Sequence, residues 1–319
     1  MFRAAARVFF AFSLLCSGAA QAAWPDRTVT LIVPFSAGGI TDVLARLTAE
    51  RLSQKFGQPF VVQNEGGGAG IIGATTAARA APDGYTLIFG HQDTHTLLPI
   101  LKKELPYNVE RDFAPITKVS EIPLIIVANP RVPAGIKEVL AAARAKKGGL
   151  TYASAGLGGV NHLVLELFAQ RAGVELTHVP FRGASQATLA VASGEVDMMS
   201  MALSLAQPFL QDGKVRLIGY CGPQRHAQFR DIPTLQEQGV KGYDYSSWIG
   251  LFFHKDVPAD IVSTLAREAL AIGEDREFQV QLIRSGLEPW PKSAAELGRI
   301  VQVDHARWKQ IIEQARIQA

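Results

Sequence analysis

The sequence repeats one pattern twice, in which a short apolar run ends in a Gly-Gly turn and a helical pattern follows. The first copy is Pro34–Asp42 and the second is Ser154–His162. After each Gly-Gly pair, apolar residues recur with the i, i+3, i+4, i+7 spacing of a helix face that packs on a core: Ile40, Val43, Leu44 and Leu47 in one copy, and Val160, Leu163, Val164 and Leu167 in the other. The repeat predicts two strand–turn–helix units with equivalent loops.

Short apolar runs alternate with helical patterns around both loops, which predicts parallel sheets covered by helices. One series covers residues 28–89 and the other covers residues 150–220. The helical pattern at 294–317 lacks a sheet of its own, so we expect the tail to return to the first lobe. The predicted fold class is α/β with two Rossmann-like lobes, lobe 1 being residues 23–122 plus 248–319 and lobe 2 residues 123–247. Chain crossings near Ser120–Pro123 and Tyr245–Ser247 would form a hinge. Two sequential domains with a helical appendix are the alternative.

The first 22 residues predict an export signal. Arg3 and Arg7 precede the apolar run at 8–15, and Ala20-Gln21-Ala22 matches a small-x-small cleavage site. Cleavage would leave Cys221 as the sole cysteine, so no intrachain disulfide is expected. It would also bring the formal net charge of +3 closer to zero, which argues against binding to nucleic acid or to a membrane surface. Lipidation at Cys16 is a less favoured alternative to cleavage.

The two loops have the chemistry of an anion site. Glycine allows close approach of the backbone to a ligand, and the first N–H groups of a helix lack internal partners and favour negative charge. Hydroxyl or amide side chains add donors in both loops: Ser36, Thr41, Ser154 and Asn161. One such loop is more often an ordinary tight turn, but two at matched positions, at the carboxyl ends of strands, favour a carboxylate or phosphate ligand. Asp42 and His162 occupy equivalent positions, where contact with the ligand and a local structural role both stay open.

At these residues the sequence resembles the substrate-binding proteins of tripartite tricarboxylate transporters, the Bug family. The resemblance extends over an ordered series of landmarks: Pro34–Asp42, Ala81–Leu87, Ser154–Phe168, His178–Gly183, Ser193–Asp197, Asp231–Thr234 and Trp248–Leu251. It implies a periplasmic Venus-flytrap fold with crossing strands, a small carboxylate ligand and delivery to membrane permease subunits. We expect the protein to act as a monomer without a cofactor. Carried over, the site would comprise Phe35, Ala37, Gly38, Gly39, Thr41 and Asp42 from lobe 1, and Ser154, Ala155, Gly158, Gly159, His162 and Arg182 from lobe 2. Ser36 is added to the predicted site as a hydroxyl donor of the first loop.

One segment departs from the family pattern. After Phe89 the family has a small, hydroxyl-rich loop, whereas this chain has Gly90-His91-Gln92-Asp93-Thr94-His95-Thr96. Gln92, Asp93 and Thr94 are therefore added to the predicted site, where they would read a hydroxyl, amide, amine or ring nitrogen of the ligand. A solvent-exposed polar loop is the alternative, and a metal site formed by His91, Asp93 and His95 is a weaker one. We expect this segment to determine which carboxylate binds.

Three rival functions follow from other features. Gly68-Ala69-Gly70-Ile71-Ile72-Gly73 matches the dinucleotide pattern G-x-G-x-x-G, but it does not follow the first strand, so we interpret it as a close-packed turn at the cleft rim. Ser154 stands between a strand and a helix, yet its surroundings are not G-x-S-x-G, which argues against a hydrolase. A periplasmic sensor subunit, which would bind the same ligand and signal, is the remaining alternative to a transport role.

Overall fold

The computed structural model describes residues 24–181, 183–226, 229–245 and 247–315. The predicted export signal at 1–22 and the predicted site residue Arg182 lie outside the described residues. Within these ranges, no helix combines the length and the apolar character that a membrane crossing requires.

The first sheet contains six strands in the order β11-β4-β10-β3-β1-β2. Their bounds are β1 Val29–Val33, β2 Phe60–Asn64, β3 Thr86–His91, β4 Phe113–Ile122, β10 Ser247–His254 and β11 Glu288–Ser293. Strand β1 is parallel to β2 and β3, whereas β10 is antiparallel to both β3 and β4. Because β10 lies between β3 and β4, the late part of the chain completes the sheet that the early part begins.

The second sheet contains five strands in the order β7-β6-β8-β5-β9. Their bounds are β5 Leu124–Ala128, β6 Leu150–Ser154, β7 Leu176–Pro180, β8 Met198–Ala202 and β9 Arg216–Tyr220. Strand β6 is parallel to β7 and β8, and β5 is antiparallel to β8 and β9. The carboxyl ends of β1 and β6 therefore each lead into one of the two Gly-Gly loops.

Helices cover the faces of both sheets. Their bounds are α1 Ile40–Phe56, α2 Ile71–Ala78, α3 Leu98–Leu101, α4 Val109–Asp112, α5 Ile136–Ala145, α6 Val160–Ala172, α7 Ala184–Ser193, α8 Leu203–Gln211, α9 Ala259–Glu274, α10 Arg276–Arg284 and α11 Ala294–Ala315. A 3₁₀ turn at Gly68–Gly70 precedes α2, and a single π-helical turn at Asp93–Leu97 follows β3. The π-helical turn falls in the segment that departs from the family pattern.

The chain crosses between the sheets twice. Only Pro123 separates β4 of the first sheet from β5 of the second, and residues 221–246 lead from β9 back to β10. The tail returns as expected, because β11 pairs with β4 and α11 packs on the same strand. The structure is thus a two-lobed α/β fold with crossing strands. The exact division of the chain into 23–122 plus 248–319 and 123–247 stays a prediction.

Some local features differ from the sequence analysis, which did not predict β4 or β11. Strand β11 contains Pro289 and Pro291, and a sheet accepts proline at an edge where no ladder donor is needed. The predicted buried face of α6 is confirmed, with Val160, Leu163, Val164 and Leu167 all buried. In α1 the prediction is wrong for Val43, which is 36% exposed, because Thr41 and Asp42 face inward and rotate the buried stripe.

Candidate functional site

A cleft of about 560 Å³ lies between the two Gly-Gly loops and the crossing strands. It is lined from the first lobe by Phe35, Gly39, Ile40, Thr41, His91, Asp93 and Ser247, and at the crossing by Ile122 and Leu124. From the second lobe it is lined by Val160, Asn161, Ala184, Ser185, Thr188, Leu189, Met199, Met201, Ala202, Leu205 and Phe209. The volume suits a small organic molecule.

The two Gly-Gly loops have the same backbone conformation. Gly38 and Gly158 have φ of +80° and +76°, a region in which a residue with a side chain is strained. Gly39 has φ −78° and ψ 168°, and Gly159 has φ −75° and ψ 164°. Each second glycine is the N-cap of its helix, and no side chain caps either one. Both helices therefore present first-turn N–H groups that have no partner within the helix.

Asp42 stabilises the first loop through a hydrogen bond to the backbone of that loop. Its carboxylate accepts the backbone N–H of Gly38 at 2.9 Å and pairs with Arg46 at 3.0 Å. Burial alone would raise the pKa of Asp42, but the hydrogen bonds from Arg46 and Gly38 hold it below the ordinary value. The side chain does not line the cleft, so the geometry favours the structural role that the sequence left open.

His162 makes the equivalent hydrogen bond in the second loop, with an imidazole nitrogen as the acceptor in place of a carboxylate oxygen. Its Nδ1 accepts the backbone N–H of Gly158 at 3.0 Å, and its ring stacks on His178 with centroids 4.0 Å apart. Burial, together with the neighbouring His178, lowers the pKa of His162 to about 4. The imidazole is therefore neutral at pH 7 and acts as an acceptor for the loop, outside the cleft lining.

Ser154 supports the same loop from the end of β6. It is buried, its hydroxyl donates to the carbonyl of Gly156 at 2.9 Å, and it lies 2.6 Å from Nε2 of His178. The sequence analysis did not predict His178 as a partner. This serine and histidine do not line the cleft, and their hydrogen bonds fix the loop.

The remaining predicted residues fall into two groups. Phe35, Gly39, Thr41 and Asp93 line the cleft together. Residues that flank the lining without joining it are Ser36, Ala37, Gly38, Ala155, Gly158 and Gly159. The composition of the ligand-binding site stays a prediction. Of the predicted residues in these two groups, only the first four lie together in the cleft lining.

Gln92 and Thr94 stabilise the π-helical turn through hydrogen bonds of their side chains, which lie outside the cleft lining. Gln92 donates to Asp304 at 2.9 Å and accepts the hydroxyl hydrogen of Tyr245. The hydroxyl of Thr94 accepts the N–H of His91 at 3.1 Å and lies 2.9 Å from Nδ1 of His95. Both side chains are buried and neither lines the cleft, so their contacts orient the residue between them, Asp93.

Asp93 reaches from the first lobe toward the start of α6 in the second lobe. The backbone N–H of Val160 faces its carboxylate and lowers the pKa of Asp93, but burial raises that pKa more strongly, to about 7. Its Oδ1 is buried without a hydrogen-bond partner. His91 lies 3.5 Å from Oδ2, and burial lowers the pKa of His91 to about 4, which leaves this ring uncharged at neutral pH.

Two glycines of the G-x-G-x-x-G pattern are closely packed, and one of them, Gly70, contacts this turn. A Cβ on Gly70 would lie 2.5 Å from Cγ2 of Thr94, and one on Gly73 would lie 2.8 Å from Cα of Pro34. They are spaced for close packing of backbone and side chains. Within the described ranges, no group of three His, Cys, Asp or Glu side chains has the arrangement of a metal site.

An apolar wall on the second lobe was not predicted. It consists of Leu189 of α7, Met199 and Met201 of β8, and Leu205 and Phe209 of α8. Leu189 and Leu205 are 62% and 55% exposed, which is unusual for core leucines. The signal available in the sequence was the period of two between Met199 and Met201 and the i, i+4 spacing of Leu205 and Phe209, but both patterns are equally typical of a core.

Comparison with known proteins decides the family. The family model described as "Tripartite tricarboxylate transporter family receptor" matches residues 44–317. The chain belongs to this family. The receptor is 32% identical over 309 residues to a UPF0065 protein of Bordetella pertussis, covering 97% of this chain and 95% of the relative. It is 28% identical to protein BugT of the same organism, covering 96% and 95%. The predicted resemblance to the Bug family is confirmed.

Solved structures of similar proteins agree with the fold. A protein of R. palustris with adipate has a TM-score of 0.85 at 33% identity, covering 92% of this receptor and 99% of that chain. MatC from Rhodopseudomonas palustris with bound malate has a TM-score of 0.77 at 32% identity, covering 91% and 100%. The predicted fold class, the Venus flytrap with crossing strands, is confirmed.

Proposed function

We propose that this receptor is a periplasmic solute-binding protein that captures a small carboxylate and delivers it to the permease subunits of a tripartite tricarboxylate-type transporter. The observation that carries the proposal is the cleft into which Gly39 and Thr41 of one loop and Val160 and Asn161 of the other project together. Helix α1 starts at this cleft without a side-chain cap, which favours an anion there. The structures with adipate and with malate support a carboxylate as that anion.

The protein works as a clamp without chemistry of its own. The two sheets are joined at Pro123 and through residues 221–246, so rotation about these two connections would open and close the cleft. Closure excludes water, and the lower local dielectric strengthens the attraction between the ligand carboxylate and the backbone N–H groups. The proposed resting state after removal of the signal is a periplasmic monomer without cofactor.

The experiment is a comparison of ligand binding in wild type and Gly39→Leu. Native mass spectrometry of freshly purified protein identifies a retained ligand, and calorimetry with a panel of carboxylates measures its affinity. At Gly39 the φ of −78° accepts a side chain, and an added Cβ would meet only the carbonyl of Ser36 at 3.4 Å. Leucine there should weaken binding by at least about a hundredfold through obstruction of the cleft, with unchanged unfolding midpoint.

The matched control is Ala295→Leu, the same kind of small-to-large change near the start of α11, exposed and outside the cleft lining. It should bind as wild type does. Full affinity in Gly39→Leu, or binding of neutral sugars in preference to any carboxylate, would contradict the proposal. Copurification with a sensor kinase instead of a permease would assign the same binding site to signalling.

A further inference from the structure

The cleft is chemically asymmetric, although its two Gly-Gly loops share one backbone conformation. At the start of α1, the described lining contains Gly39 and Thr41 and no acid, because Asp42 binds Gly38 from outside the lining. At the start of α6, the carboxylate of Asp93 faces the N–H of Val160. A protein carboxylate thus stands where the second loop would attract an anion from the ligand.

Asp93 has capacity for one more hydrogen bond. Its Oδ1 is buried without a partner, and a buried carboxylate oxygen in that condition carries a large desolvation cost. His91 does not supply the missing donor, because its Nδ1 accepts the backbone N–H of Asp93 at 3.3 Å and so has no hydrogen of its own in the neutral ring. Since Asp93 lines the cleft, a donor on the ligand is the group that can reach this carboxylate.

The charges around the cleft disfavour a second ligand carboxylate at this end. Among the described lining residues, Asp93 is the only acid and no lysine or arginine is present. The ring of His91 is uncharged near neutral pH because burial lowers its pKa. The amide of Asn161 is already committed, donating to the carbonyl of Ser200 at 2.7 Å. Above pH 7, where Asp93 is mostly ionised, a carboxylate placed beside it would meet like charge, and the described lining, which does not include Arg182, offers no cation to balance it.

The opposite wall indicates what the rest of the ligand looks like. Leu189, Met199, Met201, Leu205 and Phe209 form a continuous apolar lining on the second lobe. Two of its leucines are more than half exposed, so an apolar ligand group would remove that surface from water. Methionine side chains adapt to aliphatic and aromatic shapes alike.

We propose that Asp93 is a specificity-determining residue, and that the ligand is a monocarboxylate bearing an amine or hydroxyl donor for Asp93 and an apolar body for the second-lobe wall. This inference rests on the proposed function and narrows its substrate class. The ligand carboxylate binds at the start of α1, its donor binds Oδ1 of Asp93, and its apolar body contacts the wall. The site rejects a simple dicarboxylate, because the second carboxylate of such a ligand brings negative charge to Asp93 in place of a hydrogen-bond donor.

The test is a calorimetric series of six-carbon acids at pH 8.5, where Asp93 is ionised, and the acids share one carboxylate and differ in their second polar group. The probes are hexanoate, 2-hydroxyhexanoate, 2-aminohexanoate and adipate. Wild type should bind the amino or the hydroxy acid at least about tenfold more tightly than hexanoate and adipate, because a site built for a donor rejects analogues that lack it. The probe that binds most tightly shows whether Asp93 prefers an amine or a hydroxyl donor.

The variant Asp93→Ser should abolish this preference and improve adipate binding at least about tenfold, since the like charge is removed. The control Asp212→Asn, an exposed carboxylate change outside the cleft lining, should keep the wild-type ranking. Adipate binding wild type as tightly as the amino and hydroxy acids would overturn the inference and leave the proposed function standing. An unchanged ranking in a folded Asp93→Ser would also overturn it. Binding of no carboxylate at all would contradict both.

Discussion

The environment of Asp93 makes a quantitative prediction about stability that does not depend on any ligand. Burial raises the pKa of this carboxyl from the ordinary 3.8 to about 7, against the opposing effect of the Val160 N–H. A raised acid pKa means that the folded state holds a proton that the unfolded state has lost, so stability falls as pH rises from about 4 to about 7. At about 1.4 kcal/mol per pH unit, this interval corresponds to about 4 kcal/mol.

The perturbation is Asp93→Asn, which keeps the shape of the side chain and removes its titration. The free energy of unfolding of the variant minus that of wild type should rise by about 4 kcal/mol between pH 4 and pH 8, with most of the change complete by pH 7. The other titratable groups near Asp93 are His91, Tyr107 and Tyr245. They are present in both proteins, so their own contributions largely cancel in the difference.

The assay is urea unfolding followed by tryptophan fluorescence at half-unit pH steps. Asp212→Asn is the matched control, because the Asp212 side chain is 57% exposed, and it should change stability by less than about 0.5 kcal/mol throughout. A difference between Asp93→Asn and wild type that stays flat from pH 4 to pH 8 would refute the burial of Asp93 at the start of α6. A difference that falls with rising pH would show instead that the N–H of Val160 outweighs burial.

Three further predictions concern groups outside the cleft lining. Asp42→Ala removes the charged partner of the Gly38 N–H and should lower the free energy of unfolding by about 1.5–3 kcal/mol in urea, with weaker ligand binding; unchanged stability would contradict the loop-closing role. Hydrogen bonds from one backbone N–H and three side chains outweigh burial and lower the pKa of Asp197 to about 2. Asp197→Asn should therefore cost about 2 kcal/mol at pH 7, a cost that disappears as pH falls from about 4 to about 2, and a pH-independent cost would refute this. Burial raises the pKa of the Cys221 thiol to about 12, so a thiol reagent at pH 8 should label it only on unfolding, and rapid labelling of folded protein would contradict its burial.

Local patterns were enough to predict the two loops and the parallel strands around them. Gly38 and Gly158 adopt the backbone conformations that the repeated Gly-Gly pattern suggests, and α6 buries the face that its spacing predicts. The face of α1 was misjudged at Val43 because a hydrogen bond from Gly38 draws Asp42 inward, which apolar spacing alone does not encode. Strand β11 was missed because its two prolines argue against a strand unless its place at a sheet edge is known.

The candidate site was predictable only where its residues are neighbours in sequence. Leu205 and Phe209 have the spacing of core residues, and only the arrangement of the two lobes about the cleft shows that they line it. The contact between Asp93 and the start of α6 joins residues 67 positions apart on different lobes, so no local signal reports it. What the sequence did mark was the departure of the 90–96 segment from the family pattern.

Equivalent loops need not be equivalent binding sites, and the reason is electrostatic. The start of a helix carries about half a positive charge on its free N–H groups, and a protein carboxylate that stands inside the cleft occupies N–H groups that a ligand would otherwise reach. In this receptor Asp93 stands inside the cleft at the start of α6, whereas Asp42 binds Gly38 of the α1 loop from outside the cleft lining and leaves the cleft side of α1 to the ligand. The repeated Gly-Gly pattern thus accounts for the proposed binding of an anion, and in the proposed mode a residue from neither loop, Asp93, restricts that anion to one end of the cleft. Under this proposal the short segment after β3 can change the substrate class while both loops are kept, because that segment determines whether the second helix start faces the ligand or the protein.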